Sequence, residues 1–134
     1  MNINITPDRL PDNALPVDPE FAGLYVDVTC EGSLLAAKRK ACFVGLARDI
    51  AGILPASIER IEKTARHFSD WAAVVVENDS TDGTKGYLEA WATERSDHVV
   101  VEMSDNGSPH LHGFERERTV AMAGYRNQCQ ELVR

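Results

Sequence analysis

Apolar positions recur with two different periods along this chain. Residues 72–76, Ala-Ala-Val-Val-Val, form an unbroken run with no polar alternation. That is the pattern of a strand covered on both faces. Residues 41–46 make a second all-apolar run, read as another buried strand, and residues 98–103 predict a third. Between the first two strands, Ile50, Ile53, Leu54, Ile58, Ile61, Ala65 and Phe68 recur at helical steps. Pro55 suits the first turn of that helix, so residues 50–54 are expected to form a turn of their own. Residues 84–93 predict a second helix, with Tyr87, Leu88 and Trp91 facing inward. A last helix, starting at Phe114 or Glu115, carries the stripe Met122, Tyr125, Cys129 and Leu132. Strand and helix alternate, which predicts an α/β fold: three layers around a mainly parallel sheet.

The first forty residues read differently. Pro7, Pro11, Pro16 and Pro19 punctuate residues 1–20, an extended lead. In residues 21–29, Leu24, Val26 and Val28 alternate with Tyr25 and Asp27, a strand pattern. Residues 33–40 predict a short helix ending in Lys38-Arg39-Lys40, where cations suit the helix dipole. The chain thus divides into a lead and short helix (1–40) and an α/β unit (41–134).

With 134 residues, 43% of them hydrophobic and 26% charged, the chain holds one domain with a real core. No apolar run approaches the ~20 residues of a membrane helix, and residues 1–20 hold no signal-peptide core. Cys30, Cys42 and Cys129 lack metal-ligand spacing, which points to a reduced, cytoplasmic compartment. A net charge of −7 argues against broad binding to nucleic acid or anionic membrane. An anionic ligand would need local arginines or a divalent cation.

The densest chemistry follows the central strand. Glu77, Asp79 and Asp82 lie within six residues, flanked by Asn78, Ser80 and Thr81. Three carboxylates this close need backbone donors, water, a cation or a ligand to satisfy them. Arg48 and Asp49 occupy the equivalent place after the first strand, so both loops are expected to line one pocket at the edge where open α/β sheets bind ligands. Arg118 and Arg126 lie near the Met122 side of the last helix, either as ion-pair partners of the loop carboxylates or as phosphate contacts. His110 and His112 alternate in a loop, poor chelate geometry without a bend. Asp82-Gly83-Thr84 lacks the nucleophilic Asp of haloacid-dehalogenase phosphatases, which is Ser80 here. Lys85 has no P-loop around it.

Val-Val-Val-Glu-Asn-Asp-Ser-Thr-Asp-Gly-Thr at 74–84, after a strand–Arg-Asp–helix unit, resembles the N-terminal half of GT-A glycosyltransferases. The likeness is to family 2 enzymes and to the fungal capsule-associated α-1,3-mannosyltransferase family, which place an Arg-Asn pair on a later helix, as Arg126-Asn127 does here. It covers roughly residues 41–134. The resemblance implies that Glu77 and Asn78 contact the base and ribose of a nucleotide, with Asp79 in the same loop. It puts Arg48 and Asp49 beside the base and Arg126 near the phosphates. Asn78 stands where family 2 enzymes carry Asp. The implied partners are a nucleotide sugar (GDP- or UDP-linked) and a glycan acceptor, with a divalent cation, Mg or Mn, at the diphosphate. The cation's Asp-x-Asp motif is absent from this chain.

The expected reading is therefore the nucleotide-binding half of a glycosyltransferase, a fragment or a truncated relative, inactive by itself. The alternative is a non-catalytic nucleotide-binding or regulatory half-domain. A pyrophosphorylase-like enzyme fits poorly, because residues 45–52 make a weak Gly-rich loop. With three core strands the 41–46 strand becomes an edge, prone to self-association unless residues 24–28 cover it.

Overall fold

The computed structural model describes residues 18–107 and 116–134 of the chain. Its centre is a three-stranded parallel sheet in the order β1-β2-β3, formed by β1 (Lys40–Ala47), β2 (Asp70–Asn78) and β3 (Val99–Ser104). The register is continuous, from Lys40 beside Asp70 to Ala47 beside Glu77, and from Ala73 beside Val99 to Asn78 beside Ser104. The α/β architecture expected from the alternation of periods is the one observed. The described residues also form the α-helices α1 (Ala22–Ala36), α2 (Leu54–Ala65), α3 (Thr84–Glu94) and α4 (Arg116–Val133).

Side chains alternate across β2, and this assigns the two faces. Ala73 and Val75 join Ala47, Leu54, Leu88, Trp91 and Val99 in the core beneath α2 and α3, with Ile58 and Ile61 packed against it. Val76 and Leu46 turn to the other face, where Ala121, Met122 and Tyr125 of α4 approach. β2 is buried on both faces over residues 73–77. Pro55 sits in the first turn of α2, as its missing N–H allows. Glu62 clamps α2 to α3, accepting from Trp91 Nε1 at 3.0 Å and from Arg95 Nε and Nη2 at 2.9 and 3.1 Å.

The Arg95 guanidinium holds the Glu62 carboxyl below its ordinary value, against the opposing effect of burial and with help from Trp91. A depressed carboxylate stabilises the fold fully above its unfolded value and loses that contribution as pH falls through the folded one. Stability is therefore expected to decline below about pH 4. Glu62→Gln should flatten that decline while lowering stability at pH 7 by about 1–2 kcal/mol, read from urea melts across pH. An acid limb as steep in the variant as in the parent chain would remove Glu62 from this role.

Several expectations are corrected. The strand pattern at residues 21–29 is instead the first half of α1, which runs unbroken through the first half of the short helix expected at 33–40 and ends at Ala36. Asp18 accepts the Glu20 amide at 3.0 Å, and Pro19 opens a 3-10 turn that leads into the helix. A helix satisfies its own backbone, whereas an isolated strand here would leave its polar groups without partners. Lys40 starts β1 rather than ending a helix. β1 is not covered on both faces: its burial alternates, and Val44 is 53% exposed. Tyr87 and Leu132 are exposed, while Leu88, Trp91 and Cys129 are buried. The proline-rich lead up to residue 17, His110, His112 and the expected helix start at Phe114 or Glu115 lie outside the described residues.

Candidate functional site

The loops after β1 and β2 come together, as their equivalent positions on adjacent parallel strands require. Asp49 and Asp79 both adopt left-handed backbone, with φ of 49° and 53°. Asp tolerates this region better than most side chains, and in it the chain turns sharply off each strand end. The two loops are then tied by hydrogen bonds in both directions. The Asp49 amide donates to Ser80 Oγ at 3.0 Å, and Asp49 Oδ1 accepts the Thr81 amide at 2.7 Å. The Ile50 amide donates to Thr84 Oγ1 at 2.8 Å, and the Ala51 amide to Asp82 Oδ2 at 3.0 Å. Asp82 Oδ1 also takes the Thr84 amide at 2.8 Å, satisfying an otherwise orphaned donor at the start of α3. Hydrogen bonding by Thr84, aided by the Ala51 amide and opposed by burial, holds the Asp82 carboxyl below its ordinary value.

Glu77 lies beneath this junction and is fully buried. Its Oε1 accepts the Ser80 amide at 2.5 Å. Its Oε2 accepts no hydrogen bond among the described residues and faces Lys85 Nζ at 3.8 Å. Lys85 also donates to the Ser104 carbonyl at 3.1 Å and to Asp105. Bonding to Asp105, more than the nearby Glu77 and Asp79 charges, raises the lysine above its ordinary value. Asp79 is buried and accepts the Gly107 amide at 3.2 Å, drawing the segment after β3 toward β2.

The cavity lies on the opposite face of the sheet. It encloses about 250 Å3 between the C-terminal ends of β1 and β2 and the α4 helix. Leu46, Ile50, Val76 and Met122 supply apolar walls, and Arg48, Asn78, Arg118 and Tyr125 supply polar groups. The Asn78 amide, oriented so that both its ends are satisfied, accepts from Arg48 Nη1 at 3.2 Å and donates to Asp79 Oδ2 at 3.0 Å. Tyr125 Oη lies 2.9–3.0 Å from the same amide. Arg48 also approaches Asp49, Nε to Oδ2, at 3.9 Å.

Of the residues singled out in the sequence, Arg48 and Asn78 line this cavity, together with Arg118. Asp49, Glu77 and Asp79 do not, because they bind the backbone of the surrounding loops. Glu77 and Asn78 are neighbours in sequence and so lie on opposite faces of the sheet. Arg126 is exposed and outside the cavity lining. Tyr125 is the polar contact that sequence reasoning missed. It was counted only as part of an apolar stripe, yet a tyrosine hydroxyl facing a sheet needs a partner, and that need was the available signal. Buried Cys129, whose thiol burial pushes upward in pKa, closes the α4 packing beside the Gly45 carbonyl at 3.6 Å.

A divalent cation does not fit what surrounds the cavity. The carboxylates of Asp49, Asp79 and Asp82 are taken up by amides, and no group of three metal-ligating side chains occurs among the described residues. No helix among the described residues is long and apolar enough to cross a membrane. Comparison of the chain with protein-family models, with curated proteins and with solved structures finds no match in any of the three.

Proposed function

We propose that the cavity between β1, β2 and α4 is a nucleotide site, and that the chain is the nucleotide-binding portion of a GT-A-type glycosyltransferase. In the complete enzyme, a GDP- or UDP-linked sugar would be the donor and a glycan the acceptor. The supporting observation is the lining itself: two arginines and an amide–phenol pair set among apolar walls, at the strand ends where parallel sheets take ligands. The apolar walls suit a base, Asn78 and Tyr125 suit its polar edge or the ribose, and the guanidinia suit phosphate oxygens. A volume of about 250 Å3 fits the nucleoside end of such a ligand and leaves the remainder at the mouth, beside exposed Arg118.

One observation favours binding without transfer. Among the described residues, no Asp, Glu or His lines the cavity, so none of the described lining residues can act there as a carboxylate or imidazole base. The second reading is therefore a non-catalytic nucleotide-binding half-domain.

Titration calorimetry with UDP, GDP and their sugar conjugates tests the site. Arg118→Ala is expected to weaken nucleotide binding about tenfold, with a smaller loss at high salt. Arg126→Ala should leave affinity unchanged. No heat with any of these nucleotides would end the proposal. Loss of binding in Arg126→Ala alone would move the phosphate contact to the outer side of α4. Sugar transfer by the purified chain would exclude the second reading.

A further inference from the structure

Among the described residues, β1 is paired on one side. Its neighbour is β2, and no strand among the described residues lies along its other side. The Arg39 carbonyl points toward β2, where it accepts the Ser69 amide at 2.9 Å. Backbone groups alternate in direction along a strand, so the odd-numbered residues of β1 also face β2. Lys40, Cys42, Val44 and Leu46 then direct N–H and C=O to the open edge.

Protein edges are ordinarily blunted by charges, proline, a bulge or shortness. This one has eight residues, Lys-Ala-Cys-Phe-Val-Gly-Leu-Ala, with its single charge at the first position. Its register against β2 runs without interruption. Val44 is 53% exposed, and Cys42 is an exposed free thiol. α1 presents a second open surface. Leu24, Tyr25, Val28 and Leu35 share one arc of that helix, with Phe21 at its N-cap on the same side, and each is more than half exposed. α1 ends at Ala36, four positions before β1 begins, so its last turn stays close to the start of the strand.

We propose that β1 pairs antiparallel with β1 of a second copy, forming a two-fold dimer with one continuous sheet. The two-fold axis passes at Phe43. Lys40 then lies opposite Leu46 of the second copy, and Cys42 opposite Val44. This register engages every outward N–H and C=O of both strands, whereas a shift of two residues leaves one residue per copy unpaired. The two lysines fall at opposite ends of the ladder, so like charges do not meet. Strand pairing alone buries too little for a stable interface, which takes about 800 Å2 per partner. Phe21 and the four α1 side chains add on the order of 500 Å2 if covered by the same neighbour. A second copy is the occupant that supplies both an open apolar strand and an open apolar helix under one symmetry operation. The net charge of −7 on each copy opposes association, so the interface strengthens as salt screens it.

Sedimentation of the full chain at moderate salt should give a species of twice 14.8 kDa. Val44→Pro removes an outward N–H without removing a bond to β2, and Val44→Lys places a charge on the edge. Each should weaken the dimer about 100-fold. Independently of any variant, hydrogen exchange should show the amides of Cys42, Val44 and Leu46 protected in concentrated samples and fast on dilution. The amides of residues 41, 43, 45 and 47 should stay protected throughout. A chain that is monomeric across the micromolar range overturns the proposal. So does a dimer that survives both Val44 variants but dissociates in Leu35→Glu, which would place the contact on α1 alone. Concentration-independent exchange at the outward amides does the same.

Discussion

Glu77→Ala is expected to cost about 2–4 kcal/mol of stability, a large share of the 5–15 kcal/mol typical of a domain. The side chain is fully buried, and its Oε1 is the acceptor for the Ser80 amide. Removing it leaves that amide without a partner under a closed loop, and it leaves Lys85 without the carboxylate 3.8 Å away. The damage should spread to the β1 loop, because Ser80 and Thr81 hold Asp49. Glu77→Gln keeps an oxygen for the amide and loses only the charge, so about 1–2 kcal/mol is expected. Urea denaturation of both variants measures this as a shift in midpoint at constant slope. Equal midpoints for Glu77→Ala and the parent chain would show that Glu77 is not a keystone of the loop. The resemblance assigns Glu77 to a ligand. A variant of parent stability with weakened nucleotide binding would restore that role.

Trp91→Ala should be about as severe, at about 3–5 kcal/mol. Trp91 is 4% exposed and fills the centre of the core between α3, α2 and the sheet. Its truncation opens a cavity that the surrounding Val, Leu and Ile side chains can only partly collapse into. It also removes the Nε1 donor to Glu62, one of the ties between α2 and α3. Trp91→Phe separates these causes, keeping most of the apolar area and losing the hydrogen bond. About 1–2 kcal/mol is expected for it. If Phe proves as costly as Ala in chemical denaturation, the hydrogen bond outweighs the packing and this account of the core is mistaken.

Much of the fold was legible because β2 and α2 obey strong local rules. A β-branched run with no polar interruption has few uses outside a buried strand, and Pro55 marks where α2 can begin. α1 was misread because Leu24, Val26 and Val28 satisfy a period of two while Leu24, Val28 and Leu35 also satisfy a helical one. The cue that separates them is Asp18-Pro19 just upstream, a start signal for helical turns. The count of three core strands already puts β1 at the edge of the sheet, as observed. Its apolar run reads as a buried strand, yet its burial alternates and Val44 stays exposed, because composition does not show which positions the helices cover.

The site shows the same division. By itself the sequence determined that two acidic loops would meet at the ends of adjacent parallel strands, since both follow apolar strands in one α/β unit. Only the tertiary structure decided what those acids do. Carboxylates choose the nearest strong donors: Glu77 and Asp82 take the Ser80 and Thr84 amides of their own loop, and packing β1 against β2 brings the Thr81 amide to Asp49 and the Ala51 amide to Asp82. Bonds to fixed neighbouring amides cost little further entropy, so the loops consume most of their own acid chemistry. The open cavity then falls on the other face, where the alternation of β2 directs Asn78 and where α4 brings Tyr125 and Arg118. No spacing along the chain encodes that meeting, because it depends on where a helix forty residues later lies against the sheet.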